Sequence, residues 1–420
     1  MEETTKQKFR LTGLERAWIL YDVGNSAFVL LVATLIPIFF NALAAEGGLS
    51  SVEYLAYWGY AASAVTVITA ILSPILGTLA DTRNFKKPIF ILCLVVGVAG
   101  CCAMGLAKTW LPFLLIFVFA KVGFSGSLVF YDSMLSDVTT PERMDEVSAR
   151  GYAWGYIGSC IPFVVCLALV LGAGSIGISQ LTALNIALFI TAAWWLVTTL
   201  PLLGQYRQLH YVEVERHAIR QSFARIGHTI RHLHEDRQVF WFLLAFFCYI
   251  DGVYTIIDMA TAYGTALGLD TTGLLLALLL TQVVAFPSAL VFGRLSTNHP
   301  STQLIPVCIA AYAGIALFAF FLTQQWQFWV LAVAVGMFQG GVQALSRSHF
   351  AKITPPEKSG EYFGLFDICG KGASFLGTMI VSVGSQLTGS ANVGVGSLIV
   401  LFIIGFVLFR VSCRTGKITD

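Results

Sequence analysis

Residues Gln205–Gln238 read QYRQLHYVEVERHAIRQSFARIGHTIRHLHEDRQ, which is the one long polar stretch of the chain. It holds six Arg, five His and four acidic residues, although only 11% of the 420 residues are charged. The apolar segments on its two sides are similar in length. The stretch therefore divides the chain into two halves, and we predict that it connects them.

Composition places both halves in a membrane. Hydrophobic residues make up 57% of the chain and the mean hydropathy is +0.78, which is more apolar material than one water-soluble core of this length can bury. A helix needs about 20 apolar residues to cross the hydrocarbon layer. Six such segments precede the polar stretch and six follow it. The predicted fold class is an all-α integral membrane protein with twelve transmembrane helices in two pseudo-symmetric six-helix bundles.

The basic residues predict how the chain crosses the membrane. Of its 25 Lys and Arg, 22 fall in the tails, the central stretch and the even-numbered loops, whereas the odd-numbered loops hold only Lys108. Basic loops stay on the cytoplasmic side, so we expect both termini there, and a bacterial protein of this kind in the plasma (inner) membrane. No removable signal peptide is expected. The predicted parts are a tail (1–16), a bundle (17–203), a linker with an amphipathic helix (204–238), a second bundle (239–411) and a tail (412–420).

The two halves repeat each other at an offset of 215 residues. Pro141-Glu142-Arg143 matches Pro356-Glu357-Lys358, and the same offset places Asp132 at the position of Arg347. Weak internal repeats of this kind are typical of transporters built from duplicated bundles.

Several motifs resemble known transporters. Gly77–Lys87 reads GTLADTRNFKK and resembles the signature loop of the major facilitator superfamily. WILYDVGNSAF at Trp18–Phe28, YIDGVYT at Tyr249–Thr255 and QALSRS at Gln343–Ser348 resemble the autophagy-related vacuolar effluxer family of that superfamily. The resemblance covers nearly the whole chain. It implies the major facilitator fold and a secondary transporter that works by alternating access, with amino acids or other small polar metabolites as substrates.

Ionisable residues inside the spans are the first candidate site residues, because each costs about 2.5–3.5 kcal/mol in hydrocarbon. Lys121 and Lys371 fall near the midplane and suit a substrate that carries a carboxylate. Asp367 is also predicted to contact substrate, and an ion pair with it is the alternative for Lys371. Asp251 is predicted to bind substrate and to carry a coupling proton, and helix pairing with either lysine is its alternative. Asp258 is expected nearer the outer interface.

Polar residues on other spans complete the predicted binding site. Asp22 and Asn25 share a face of the first span, where Asp22 is a second candidate for proton coupling and a cytoplasmic gate is the alternative. Gln339 and Gln343 form a stripe that suits both ends of a zwitterion, although helix-to-helix bonding would also explain it. Tyr254 is expected to line the cavity. The predicted gating residues are Asp81, Arg83, Lys86, Lys87, Asp132 and Arg347, although Asp132 also suits a structural role.

Other classes of function find little support. The chain has no nucleotide-binding loop or catalytic motif, so we expect no enzyme activity and no cofactor. The linker histidines (His217, His228, His232 and His234) lack the acids or Cys of a metal site and are assigned to a solvated linker. We expect no nucleic-acid partner, only a small-molecule substrate, protons and the lipid bilayer, and a monomer. The alternatives are an exporter of amphipathic compounds and a non-transporting membrane receptor or scaffold.

Overall fold

The computed structural model describes residues 9–213, 231 and 233–415, and every regular element in this part of the chain is helical. The helices of the first half are α1 (Gly13–Ala33), α2 (Leu35–Glu46), α3 (Ser51–Ala80), α4 (Lys86–Met104), α5 (Trp110–Ser133), α6 (Leu135–Val138), α7 (Met144–Leu171) and α8 (Gln180–Gln205). Those of the second half are α9 (Arg237–Ala266), α10 (Thr271–Leu295), α11 (Ser301–Phe320), α12 (Gln325–Ile353), α13 (Ser359–Thr388), α14 (Ala391–Gly396) and α15 (Ile399–Thr415).

These helices confirm the predicted fold class. Eleven helical segments within the described residues are long and apolar enough to cross a membrane. The 30-residue α13 supplies the remaining crossing, since it exceeds the roughly 20 residues that a crossing needs. The linker helix predicted around Arg216–Ile230 lies outside the described residues, as do three of the four linker histidines (His217, His228 and His232), whereas His234 is described and exposed.

Local sequence explains where the first helix begins. Thr12 and Glu15 form a capping box, in which the Glu15 amide donates to the Thr12 hydroxyl and the Thr12 amide donates to the Glu15 carboxylate. Such a box satisfies two amides that a helix start leaves unpaired. Glu15 also accepts hydrogen bonds at 2.7–2.8 Å from the Arg143 guanidinium, before α7. The start of α1 is thereby tied to the loop that precedes α7.

Each half packs mainly within itself, and the two halves meet along a few helix pairs. Across the boundary, α3 and α5 contact α13, while α7 contacts α10 and α12. Glycine permits the closest approach, because a Cβ atom at Gly77 would overlap the carbonyl of Gly360. The loops after α3, before α7 and before α13 lie at this end of the bundle, which we call the basic face.

Candidate functional site

A cavity with two chambers lies between the halves. The chamber nearer the basic face has a volume of about 380 Å³ and the other about 550 Å³, and both are partly open to solvent. Tyr254, Asp258 and Gly370 line both chambers and so lie where the two chambers adjoin. Small-molecule sites are concave and carry a few convergent polar groups, so this cavity is the candidate functional site.

Most residues predicted for the binding site line this cavity. The chamber nearer the basic face is lined by Asn25, Tyr254, Gln339, Gln343 and Asp367, and the other chamber is lined by Lys121. Gln343 accepts a 2.9 Å hydrogen bond from the Tyr156 hydroxyl, and Asp367 accepts one of 2.8 Å from Ser73. Lys371 belongs to α13, but its side chain lies outside the described part of the structure.

Arg347 forms the main cross-link between the halves at the bottom of the cavity. Its guanidinium is buried and donates to the Asp132 carboxylate (3.0 Å) and to the hydroxyl and carbonyl of Ser148 (2.9 and 3.0 Å). It also lies 4.3–5.4 Å from the centroids of three aromatic rings, those of Trp18, Tyr131 and Tyr152. A cation held by rings and a carboxylate is strongly localised. The offset that pairs Asp132 with Arg347 in the sequence therefore joins two residues that bond directly.

Asp22 is the second carboxylate at this guanidinium. Its Oδ2 atom lies 3.6 Å from Arg347 and has no hydrogen-bond partner among the described residues. Its Oδ1 atom accepts only a long 3.4 Å contact from the Asn25 amide. Asp132 makes the direct bond to Arg347, so Asp22 is the less well compensated of the two acids.

Lys121 and Asp258 place opposite charges on the second chamber. Lys121 comes from α5 of the first half, with its ammonium 4.7 Å from the ring centroid of Phe124, and Asp258 comes from α9 of the second half. The sequence placed Asp258 nearer the outer interface. In the structure Asp258 lines both chambers, so depth along the helix alone underestimated its part in the cavity.

Asp251, predicted for binding and coupling, lies outside the cavity lining. Its carboxylate is fully buried and accepts the backbone amide of Gly377 in α13, at 2.8–2.9 Å, and the hydroxyl of Thr255 at 3.3 Å. It therefore joins α9 to α13 within the second half. Lys371, one of the two lysine partners considered for Asp251, has its side chain outside the described part of the structure.

At the basic face, the loop after α3 bonds to the start of α13. The Asp81 carboxylate accepts the amides of Gly360 (2.7 Å) and Glu361 (2.9 Å), and the Lys86 ammonium donates to the Ser359 hydroxyl (2.7 Å). We call these five residues the basic-face cluster. A carboxylate at a helix N-terminus is favourable because it meets unpaired amides and the positive end of the helix dipole.

Burial affects the ionisation of this cluster. Asp81 and Lys86 are both fully buried, with 3.9 Å between their charged atoms. Burial raises the pKa of the Asp81 carboxyl to about 7, although Lys86 and the two amides oppose the shift. Asp81 can thus change its charge near neutral pH.

Two other predicted gating residues do not join the halves. Arg83 is exposed and pairs with Glu213 of the linker at 3.2 Å. Lys87 is half-buried and forms no ion pair with another described residue.

One further residue joins the halves and was not predicted from the sequence. Asp145 of α7 accepts 2.6 Å hydrogen bonds from Ser348 and Lys352 of α12. Its one signal was its place two residues after the repeated motif Pro141-Glu142-Arg143.

Comparison with known families gives a match over almost the whole chain. A family described as "Vacuole effluxer Atg22 like" matches residues 14–418. An uncharacterized MFS-type transporter, YxiO of Bacillus subtilis (strain 168), is 43% identical over 404 residues, covering 95% of this chain and 94% of that protein. Autophagy-related protein 22 of Coccidioides immitis (strain RS) is 26% identical over 326 residues, which cover 64% of this chain and 51% of the fungal protein.

Solved structures share the architecture. The major facilitator superfamily transporter FucP in its outward conformation matches with a TM-score of 0.75 and 15% sequence identity, covering 96% of this chain and 98% of that one. At this identity the likeness concerns the fold alone. Within the described residues no group of three or more His, Cys, Asp or Glu side chains is arranged to hold a metal ion.

Proposed function

The chain belongs to the Atg22-like vacuole effluxer family of major facilitator transporters, and from this premise we propose that it carries a small zwitterionic metabolite, such as an amino acid, by proton-coupled alternating access. It is a multi-pass integral membrane protein, and its relatives are transporters rather than enzymes. The finer parts of the proposal rest on the cavity.

Opposite charges in the cavity support a zwitterionic substrate. Lys121 can receive a carboxylate, and Asp258 in the same chamber can receive an ammonium group. On binding, the Lys121 ammonium and the Asp258 carboxylate would each gain an opposite charge from the substrate. The ion pairs would offset most of the free-energy cost of removing these charges from water. Asn25, Gln339, Gln343, Tyr254 and Asp367 supply polar contacts, and Lys371 is proposed as a further cation. Since Asp251 is not in the lining, we propose that it acts through α13 and not by touching substrate.

Asp22 is the favoured coupling residue. Two carboxylates share one guanidinium at Arg347, and Asp132 holds the direct bond. Like charges that compete for one partner favour a proton on the less compensated acid. A proton on Asp22 would leave the bond between Asp132 and Arg347 in place, whereas its release would add a negative charge beside the same cation. This arrangement is the observation that carries the coupling proposal.

The closed contacts at the basic face support an outward-facing state. Asp81, Lys86, Asp145 and Arg347 all bond across the halves at the end that carries the basic loops. With those loops in the cytoplasm, the cytoplasmic side is shut and substrate enters from the other side. We propose this orientation, with both termini in the cytoplasm of a plasma membrane and the chain acting as a monomer.

The test begins with the substrate. Thermal-shift screening of the purified protein against amino acids, peptides, sugars and organic anions should identify a ligand, because binding to the folded state raises the melting temperature. In proteoliposomes, Asp22→Asn should abolish uptake driven by a pH gradient and keep counterflow of bound substrate. Asp258→Asn is the matched control and should weaken binding of the same substrate. Unchanged gradient-driven uptake in Asp22→Asn would remove Asp22 from the coupling role.

A second candidate is an exporter of amphipathic compounds. A small apolar pocket of about 50 Å³ lies within the second half and touches the cavity at Ile257, Gln282 and Gln339. It could hold a small lipophilic group of a larger substrate. Competition for transport by unrelated lipophiles, with no effect of amino acids, would favour this function over the first.

A further inference from the structure

The first residues of the polar linker are built into the protein rather than loosely attached to it. Residues Tyr206–Glu213, which we call the strap, follow α8 and run across the basic face of the first half. From the sequence alone, these residues are predicted to be part of a connecting linker. Their contacts indicate a second role.

The strap holds the backbone of the loop between α3 and α4. The Gln208 side chain donates to the carbonyl of Ala80 (3.0 Å) and accepts from the amide of Lys86 (3.4 Å). The amide of Val212 donates to the carbonyl of Asp81 at 2.8 Å. Both ends of the loop are therefore fixed by the same short segment. This loop carries the two side chains, Asp81 and Lys86, that reach α13.

Asp137 joins the strap to Lys86. Its buried carboxylate accepts the hydroxyl of Tyr206 (2.7 Å) and the amides of Leu209 (3.2 Å) and His210 (2.9 Å), and lies 2.9 Å from Nδ1 of His210. It also lies 3.6 Å from the Lys86 ammonium. A buried carboxylate is stable only when such donors surround it. If the strap were displaced, Asp137 would lose these donors and would attract the Lys86 ammonium more strongly. That attraction would compete with the hydrogen bond from Lys86 to Ser359.

We propose that the strap is a positioning element of the cytoplasmic gate, holding Asp81 and Lys86 where they close the basic-face cluster. The proposal rests on the proposed transport function only in naming that cluster a gate. The strap contacts the first half, so it can stay bound while the two halves separate. By holding the loop between α3 and α4 in place, the strap determines how readily Asp81 and Lys86 bond to the start of α13 again when the halves close.

His210 makes this positioning dependent on pH. Its hydrogen bond to Asp137 raises the pKa of the imidazole above its ordinary value, against a smaller opposite effect of burial. The charged groups that face it are Asp137, Glu357 before α13 and Lys86. Because the pKa is raised in the bound strap, the extra stabilisation is complete at low pH and is lost as pH rises through that pKa.

Distances between the halves test the proposal without any substrate. Nitroxide labels attached to unnatural keto residues at Glu142 and Asn298, both exposed loop positions, leave the native cysteines untouched. Pulsed electron paramagnetic resonance then gives the fraction of molecules with a closed basic face. Gln208→Ala removes the hydrogen bonds to Ala80 and Lys86 and should lower the closed-to-open ratio about fivefold, an effect of the size of one typical hydrogen bond. His210→Gln cannot gain the charge, so it should be less closed than the parent protein at low pH and should show a weaker change in the closed fraction between pH 6 and 8.

Leu209→Ala is the matched control, because the Leu209 side chain is 63% exposed. The substitution also keeps the hydrogen bond that the backbone amide of residue 209 donates to Asp137. It should give the parent distance distribution. Gln208→Glu keeps an acceptor for the Lys86 amide and serves if Gln208→Ala fails to fold. If the Gln208 and His210 variants match Leu209→Ala at every pH, the strap has no positioning role. That result would leave the transport proposal untouched, whereas failed gradient-driven uptake would leave the distance measurement valid.

The strap also changes how a linker deletion is interpreted. Removing Gln208–His234 would separate a scaffold from a transporter only if the linker were a passive tether. Because such a deletion also removes Gln208 and His210, it would disturb the gate of a transporter as well. A deletion that begins after Glu213 avoids this effect.

Discussion

Two aspartates hold the same helix, α13, by the same chemistry at two different places. Asp81 reaches from the first half and accepts the amides of Gly360 and Glu361 in the first turn. Asp251 reaches from the second half and accepts the amide of Gly377 further along. Alternating access requires the first contact to break and allows the second to persist. We therefore expect the contact of Asp81 to act as a switch in the proposed transport cycle and that of Asp251 to act as a structural anchor, because the two aspartates differ in position and not in bonding.

The surroundings of the two carboxylates differ accordingly. Asp81 has Lys86 on its own half at 3.9 Å, so its charge keeps a partner after the halves separate. Asp251 has the Thr255 hydroxyl and forms no ion pair with another described residue. A Cβ atom on Gly377 would overlap the Thr255 hydroxyl and crowd Asp251. The contact at Asp251 is thus close-packed and poorly suited to opening and closing.

The largest expected effect is a loss of stability on replacing the anchor. Asp251→Ala should lower the free energy of unfolding by about 1–3 kcal/mol, because the buried Gly377 amide loses its partner. Asp251→Asn keeps one acceptor oxygen and should cost less. Thermal unfolding in detergent measures both. Asp258→Asn is the control, since this carboxylate of the same helix faces the cavity. Equal melting temperatures for Asp251→Ala and Asp258→Asn would show that Asp251 does not anchor α13.

Replacing the switch should have a smaller effect on stability and a clear one on pH dependence. The pKa of Asp81 is raised to about 7 in the closed state, so that state binds a proton more tightly and loses stability as pH rises through 7. With an ordinary pKa in the open state, this group alone would lower the closed-to-open ratio about tenfold between pH 6 and 8.

Asp81→Asn tests this pH dependence. The variant should have a closed-to-open ratio close to that of the parent protein at pH 6, because the Asp81 carboxyl is mostly protonated there and, like an amide, uncharged. Its ratio should then change little up to pH 8, where that of the parent protein falls. The distances between labels at Glu142 and Asn298 report both properties. If Asp81→Asn opens with rising pH as steeply as the parent protein, the pH dependence belongs to another group. Adding His210→Gln to Asp81→Asn would then show whether that group is His210.

Features that are costly in hydrocarbon could be predicted from the sequence. Apolar length gave the twelve crossings, and buried charge gave Asp22 and Lys121. Internal repetition gave the equivalent positions of Asp132 and Arg347, although the bond between these two residues appears only in the structure. The comparison with known proteins confirmed the family. The role of Asp251 could not be predicted in the same way, because helix periodicity gives the depth and face of a side chain and does not identify the neighbouring helix. That neighbour, Gly377, is 126 residues away.

The strap was missed for a different physical reason. Gln208, His210 and Asp137 lie outside the hydrocarbon, where a polar residue carries no energetic penalty that would draw attention to it. The hydrogen bonds of Gln208 to the loop after α3 span more than 120 residues and follow no helical period. The charged residues of the signature loop attracted the gating assignment instead, and the neutral amide of Gln208 and the imidazole of His210 did not.

The smallest expected effect concerns Arg83, which the signature loop had placed among the gating residues. Its pair with Glu213 spans 3.2 Å, with 58% and 71% of the two side chains exposed, and its guanidinium lies 5.2 Å from the centroid of the Tyr211 ring. Exposed ion pairs contribute about 0–1 kcal/mol. Arg83→Ala should therefore leave the closed-to-open ratio within about twofold of that of the parent protein. Gln208→Ala, which removes hydrogen bonds made by the strap itself, should lower the ratio further. If Arg83→Ala opens the basic face as much as Gln208→Ala does, the strap is held by surface charge, and the buried bonds of Gln208 and Asp137 are not what positions the gate.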